Sequence, residues 1–398
     1  MLNTSETLNR VSESSTIKMA QLSRDLTAKG IHIISLSLGE PDFNTPQHIK
    51  DAAKQAIDSG KYDSYSPIAG YLDLRQAICE KLKRDNHLEY KPENIVVSTG
   101  AKQSLANVFL SFLNKDDEVI IPAPYWVSYP EQVKLCNAVP VYIPTTVDNE
   151  FKMTAAQLEQ AITPKTKFLV YSSPSNPTGS VYTREEIGQF VQVLEKFPHV
   201  YIVSDEIYEH INYAGEHVSI AEFPSMKDRT IVVNGQAKGY AMTGWRIGYI
   251  AAPAYIAKAC DKLQGQITSG ANSVAQHATI TALLGDQQPT RNMRDAFRKR
   301  RDLVLDLLKA IPNIKCNIPA GAFYVFPDLS AYFGKYFQGE CIKDADDLAL
   351  YLLHEGHVAA VSGAGFGAPE CIRFSYAASE DNLREAFKRV KDALAKLS

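Results

Sequence analysis

Five short stretches of the chain carry side chains with chemistry to offer, and each follows a run of apolar or β-branched residues. Thr99-Gly100-Ala101-Lys102 opens a helical pattern, and the free N–H groups of a helix start form a cradle for an anion. Ala123-Pro124-Tyr125-Trp126 brings an indole, and Ser175-Asn176-Pro177-Thr178-Gly179 an amide. Asp205-Glu206-Ile207-Tyr208 supplies a carboxylate and a phenol. Asn234-Gly235-Gln236-Ala237-Lys238, followed by Met242-Thr243-Gly244-Trp245-Arg246, adds a primary amine and a fixed guanidinium. Taken singly these signals are weak. Asn176-Pro177-Thr178-Gly179 is an ordinary turn sequence, Trp126 suits a core, Asp205 suits a helix N-cap, and Lys238 is one of 42 basic residues. Their arrival at five consecutive strand ends singles them out, because ligands of α/β sheets bind beyond the carboxyl ends of the strands.

The elements that must deliver them can be read from pattern. Strands are predicted at Ile95–Ser98, Val119–Pro122, Val139–Ile143, Phe168–Tyr171, Val200–Ser204, Thr230–Val233 and Ile247–Ala251. Several are apolar along nearly their whole length, as strands covered on both faces are. Helical patterns at Asp51–Ser59, Tyr71–Arg84 and Lys102–Leu113 alternate with them, which implies an α/β domain around a largely parallel sheet. After residue 290 the character changes. A long charged helix, Arg291–Ala310, precedes strands at Ala322–Phe326 and Cys371–Tyr376. Leu383, Phe387, Val390 and Leu394 then mark an amphipathic closing helix. The expected division is an N-terminal segment, 1–45, whose extended part Ile31–Leu38 packs on the last domain; a large domain, 46–290; and a small α+β domain, 291–398.

Composition removes several function classes. The 398 residues are 45% hydrophobic and 22% charged, ordinary for a globular chain. Lys plus Arg number 42 and Asp plus Glu 45, a net charge of −3 that offers no basic field for nucleic acid. No apolar run suits a membrane helix, and Met1 to Arg10 lacks the apolar centre of a signal peptide. Six dispersed cysteines, none in a CxxC pair, fit a reducing compartment, and the scattered histidines offer no metal motif. The expectation is a soluble, cytoplasmic protein with no metal and no membrane or nucleic-acid partner.

The order of motifs resembles the class I pyridoxal-phosphate-dependent aminotransferases, the fold group shared with aspartate aminotransferase. Asp205 lies 29 positions after Asn176, Lys238 lies 33 after Asp205, and Arg246 lies 8 after Lys238. The block Lys238-Gly239-Tyr240-Ala241-Met242-Thr243-Gly244-Trp245-Arg246-Ile247-Gly248-Tyr249 is close to diagnostic. The resemblance runs from Leu36-Ser37-Leu38-Gly39-Glu40-Pro41-Asp42 to Tyr376, and within the family it is to the bacterial subgroup of aspartate and aspartate/prephenate aminotransferases. It implies the pyridoxal-phosphate-transferase type I fold: a mainly parallel seven-stranded sheet between helices, plus a smaller α+β domain.

What the resemblance implies for each residue has a physical rationale. Lys238 bonds the aldehyde of pyridoxal 5'-phosphate and, once freed, carries the substrate's Cα proton. Asp205 keeps the pyridine nitrogen protonated, which makes the ring an electron sink. Tyr208 and Asn176 hydrogen-bond the ring oxygen, and Trp126 stacks on the ring. Gly100, Ala101, Lys102 and Arg246 hold the phosphate, joined by Tyr65 from a neighbouring subunit, so a homodimer shares its active sites. Arg373, in Ile372-Arg373-Phe374-Ser375-Tyr376, pairs with the substrate α-carboxylate, which the Gly39 backbone also approaches. Trp126 and Asn176 border the substrate as well.

Two departures narrow the assignment. Many relatives carry serine where this chain has Gly235 and Ala237, so the phosphate loses hydroxyl contacts. No arginine in Gln264-Gly265-Gln266-Ile267-Thr268-Ser269-Gly270 matches the one that reads the side-chain carboxylate in animal-type aspartate enzymes. In the bacterial subgroup a lysine at the position of Lys102 takes that role, with Ser14-Ser15-Thr16 nearby; a second phosphate cation is the other reading of Lys102. Ser362-Gly363-Ala364-Gly365-Phe366-Gly367 is glycine-rich but not GxGxxG, and is expected as a loop near the substrate entrance. The expected activity is reversible ping-pong transfer of the amino group from L-aspartate to 2-oxoglutarate through the pyridoxal and pyridoxamine forms. The alternative is the same chemistry on prephenate or aromatic substrates. A regulator built on this fold would need a DNA-binding module ahead of residue 30, for which no room is expected. A nicotinamide dehydrogenase would explain the sheet but not the strand-end set.

Overall fold

The structure, a computed structural model, describes residues 2–398. All seven predicted strands join one sheet. Its order is Ile95–Ser98, Gly248–Ala251, Thr230–Gly235, Tyr201–Asp205, Thr166–Ser172, Glu118–Ala123, Val139–Pro144. Only Gly248–Ala251 runs antiparallel to its neighbours; the other pairings are parallel. The near-continuous apolar runs have their reason here: Ile95–Ser98, Thr230–Gly235 and Gly248–Ala251 are buried at every position. The parallel strands therefore end on the same side, where Ser98, Ala123, Ser172, Asp205 and Gly235 turn into the loops that carry the chemistry.

The predicted helices form with ends shifted by a few residues: Gln47–Ser59, Leu72–Asn86, Ala101–Phe112 and Gln288–Lys309. Among the helices that pattern did not predict, Ser15–Ala28 and Ser273–Leu284 lie in stretches without a strong amphipathic signal, whereas Ala254–Ile267 carries one that pattern reading missed. No helix follows Asp205, which ends its strand and turns through Glu206–His210.

A second layer is built from the C-terminal hundred residues. Tyr324–Val325, Ile372–Ser375 and Val361–Ser362 make a small antiparallel sheet. Helix Glu380–Leu394 packs its Leu383, Phe387, Val390 and Leu394 stripe into an apolar cluster that also contains Phe297 and Phe323. Met19, Ile34 and Leu36 from the N-terminal segment share that cluster, and Ile34–Ser35 pairs in parallel with Val358–Ala359. Backbone bonds continue the zipper: Leu36 N–H donates to Ala359 O, and Ser375 N–H donates to Leu36 O. Within Ile31–Leu38, Ile34, Ser35 and Leu36 make these contacts with the C-terminal layer.

Candidate active site

The strand ends and the C-terminal layer enclose a cleft of about 620 Å³. Lys238, Asp205, Tyr208, Asn176, Trp126, Ala101, Lys102, Arg246, Gly39 and Arg373 all line it. Gly100 lies directly behind, against Arg246.

Lys238 is drawn to its place by a hydrogen bond from Nζ to Gly39 O at 2.5 Å. Burial pulls its amine down to about 8; Arg373 and Arg246 act the same way, while Glu40 and Asp205 oppose them. A neutral amine is therefore accessible near neutral pH, as a nucleophile or proton carrier needs. Asp205 is its counterpart. Burial pushes its carboxyl up to about 6, against the Tyr129 hydroxyl, which donates to Oδ2 at 2.6 Å, and Ile207 N–H, which donates to Oδ1 at 3.3 Å. A buried carboxylate with no cation in hydrogen-bond contact calls for an N–H donor from a ligand.

Arg373 is 2% exposed. Its Nη1 donates to Asn176 Oδ1 at 2.9 Å and its Nη2 to Ser37 O at 2.6 Å, and Nε has no partner. The guanidinium lies 4.6 Å from the Tyr324 ring centroid and 4.9 Å from that of Phe366. Phe366 comes from Ser362–Gly367, which folds as a short 3-10 turn; the Tyr125 N–H donates to the Phe366 carbonyl, and no residue of the turn lines the cleft. Tyr208 and Tyr324 share a hydroxyl hydrogen bond of 2.7 Å, and burial holds the Tyr208 phenol well above its ordinary range.

The anion end is equally tight. Gly100 has φ +83°, and a Cβ there would sit 2.5 Å from Arg246 Nη2, so only glycine lets the guanidinium reach the start of helix Ala101–Phe112. The backbones behind it touch without intervening side chains. A Cβ on Gly248 would lie 2.2 Å from Ala101 N, and one on Gly235 would lie 2.7 Å from Ile247 O. That contact is the physical reason a serine cannot simply replace Gly235. Lys102 Nζ stands 5.0 Å from the Trp126 ring centroid, its amine lowered by burial and by Arg246.

Two predicted site residues are not in the cleft lining: Gly100, which lies behind it, and Tyr65, which is 98% exposed. Pattern reading missed Tyr129, Tyr324 and, beside the expected Thr16, the helix residues Ile17, Ala20 and Arg24, all of which line the cleft. Tyr129 sits three residues after Trp126, one turn away, and was legible there; Tyr324, inside a predicted apolar strand, carried no separate signal. A buried group of Glu206, Glu209 and His217 behind the cleft is already charge-paired, Glu209 with Lys81 and Glu206 with His217.

Comparison with known proteins agrees with this geometry. Residues 31–390 match the family model described as aminotransferase class I and II. The chain is 46% identical over 389 residues to a probable aspartate/prephenate aminotransferase of Rhizobium leguminosarum bv. phaseoli, covering 97% of each. It is 45% identical over 394 residues to an aspartate aminotransferase of Bacillus subtilis (strain 168), covering 98% of each. The crystal structure of the aspartate aminotransferase from Rhizobium meliloti superposes with a TM-score of 0.96 at 41% identity, over 100% of both chains. With its strand-end constellation and this match along nearly its full length, the chain belongs to the class I and II aminotransferases.

Proposed function

We propose that this aminotransferase carries pyridoxal 5'-phosphate and moves the amino group reversibly between L-aspartate and 2-oxoglutarate. The observation that carries the reading is one cleft that brings together the half-buried Lys238 amine on the Gly39 carbonyl, the buried Asp205 carboxylate and the buried Arg373 guanidinium with a donor unspent.

The residues fit the cofactor. The cradle at Gly100, where a Cβ would strike Arg246, leaves backbone N–H groups and a guanidinium for a phosphate. Asp205, raised by burial and short of a donor, suits a protonated ring nitrogen, and Trp126 offers a stacking face. Bound there, pyridoxal phosphate supplies an aldehyde that reacts with amines and a ring that withdraws electrons from the attached carbon. The chain does the rest. Arg373, kept in aim by Asn176 and Ser37, takes the substrate α-carboxylate on its remaining N–H groups, and so orients Cα. Lys238 leaves the Gly39 carbonyl and takes the Cα proton on Nζ. Asp205 stays ionised beside the N–H it faces, held in aim by Tyr129. Tyr208 donates to the ring oxygen while Tyr324 fixes its hydroxyl. Lys102, at the rim beside Trp126, is assigned to the side-chain carboxylate of a dicarboxylic substrate.

The named relatives support aspartate as donor, since each printed name includes it. We assign three parts, 1–45 and 291–398 around a shared apolar cluster and 46–290 around the large sheet. We also assign a homodimer in which the exposed Tyr65 reaches the partner's phosphate. No helix among the described residues is long and apolar enough to cross a membrane, and six unpaired cysteines suit a reducing cytoplasm.

The test is a half-reaction on the protein loaded with pyridoxal phosphate, adding one amino acid at a time and following the cofactor's visible band. Fastest conversion by aspartate and glutamate supports the assignment. Fastest conversion by an aromatic amino acid moves the substrate to the aromatic class, and a protein that takes up no cofactor overturns the reading.

A further inference from the structure

The segment between Ser37 and Thr45 holds, with its own backbone carbonyls, the two side chains that substrate must engage. Ser37 O accepts from Arg373 Nη2 at 2.6 Å, and Gly39 O accepts from Lys238 Nζ at 2.5 Å. Where Gly39 lies is therefore a variable of the site, and little room is left around it: a Cβ there would lie 2.5 Å from the Tyr324 hydroxyl. Upstream the segment is zipped to the C-terminal layer through Leu36. Downstream it crosses to the large sheet, where Thr45 Oγ1 donates to Ala241 O at 2.6 Å and Trp245 Nε1 donates to Thr45 Oγ1 at 3.1 Å.

One side-chain pair interrupts that crossing. Asp42 Oδ1 accepts from Arg300 Nη1 at 2.6 Å, with side chains 29% and 13% exposed. Arg300 belongs to helix Gln288–Lys309, and its guanidinium lies 4.9 Å from the Phe43 ring centroid and 5.6 Å from that of Phe297. The two rings meet edge to face at 5.3 Å. Arg300 thus lies against both rings before it binds Asp42, so less side-chain freedom is lost on pairing than in an ordinary surface ion pair. Pro41 stiffens the short link back to Gly39 by fixing its own φ.

We propose that Asp42 and Arg300 form a latch that positions Ser37 and Gly39, and through them aims Arg373 and Lys238 at the incoming amino acid. Both are positioning residues; neither lines the cleft. The inference rests on the reading of Arg373 as the α-carboxylate site. With the latch opened, the segment drifts and Arg373 loses one of the two acceptors that hold its planar group in aim.

The experiment compares Asp42→Asn, Arg300→Gln and the double variant with wild type, all as holoenzyme. Expected are a KM for aspartate raised about five- to tenfold in each variant, a double variant no worse than either single one, and kcat within about twofold. The dissociation constant for pyridoxal phosphate should stay unchanged. Amide hydrogen exchange of the 37–45 peptide, measured without substrate, should quicken in all three, and Arg300→Lys should restore part of the KM because it keeps the charge. An unchanged or lowered KM, additive effects, or loss of cofactor in step with KM would each overturn the latch. Wild-type protein that does not transaminate would instead overturn the functional reading, and the exchange measurement would still decide whether Arg300 holds the segment.

Discussion

Replacing Asp205 by asparagine in the cofactor-free protein should raise its melting temperature while destroying its activity. The carboxyl is pushed by burial from an ordinary 3.8 up to about 6, so between those values the folded state holds a proton that the unfolded chain has released. Wild-type stability therefore falls as pH rises through that window, and the full penalty stands above pH 6. Integrating the two titrations gives about 3 kcal/mol at pH 7.5 and about 1 kcal/mol at pH 4.5. Asparagine keeps the acceptor for the Tyr129 hydroxyl and carries no charge, so it escapes the penalty. With an unfolding entropy of ~2.1 cal/mol/K per residue over 398 residues, the variant should melt roughly 3–4 °C higher at pH 7.5 and about 1 °C higher at pH 4.5. Differential scanning calorimetry of both cofactor-free proteins at the two pH values reads this directly. The same variant, loaded with pyridoxal phosphate, should lose transamination by at least about a hundredfold. A variant that melts at or below wild type at pH 7.5, or a gain that does not shrink at pH 4.5, would refute the claim that this carboxylate is held against an electrostatic cost.

Lys238→Ala should abolish transamination with the circular dichroism spectrum unchanged. Its amine is lowered by burial to about 8, so wild type should gain stability relative to this variant as pH rises from 8 towards 10.5, by about 3 kcal/mol in all; parallel pH–melting curves would contradict that. Lys102→Ala should cut kcat/KM for dicarboxylic amino acids about tenfold more than for alanine, and an equal loss on both would return Lys102 to the phosphate. Tyr129→Phe removes the hydroxyl donor from Asp205 and should shift the acid limb of the kcat/KM profile upward by about one unit, from the worth of a hydrogen bond to a charged group; an unmoved limb would mean Ile207 N–H alone suffices.

The parts of the molecule that pattern revealed are those where one face or both faces of an element are uniformly buried. Six of the seven strands of the large sheet are buried along nearly their whole length and read as apolar runs, the edge strand Val139–Pro144 being the exception, and the closing helix carries a clean stripe at Leu383, Phe387, Val390 and Leu394. Ser273–Leu284 escaped for the opposite reason: Ala275, Ala278, Thr279 and Ala282 are all buried, and a helix apolar almost all round shows no period. Ser15–Ala28 mixes hydroxyl residues with scattered apolar ones and takes its burial from the C-terminal layer, a tertiary cause that local spacing cannot carry. The site divides the same way. Residues anchored to strand ends were legible because the strands were. Ser37 and Tyr324 act through a carbonyl and a hydroxyl pair that span 336 and 116 residues of sequence, and such contacts leave no mark on spacing; Gly39 was reached only through the family resemblance.

The backbone stack of Gly235, Gly248 and Ala101 has a consequence for anyone who would redesign this enzyme. With no side chains between them, these three backbones behave as a ruler, and the span from the strand that leads to Lys238 to the anion cradle is set by peptide geometry. Core repacking elsewhere has no soft layer there through which to stretch or shorten it. A larger residue at either glycine would have to push these backbones apart and so change the span itself. New specificity is better sought on the opposite wall, where Thr16, Ile17, Ala20 and Arg24 line the cleft from a helix whose side chains can be exchanged without moving that span.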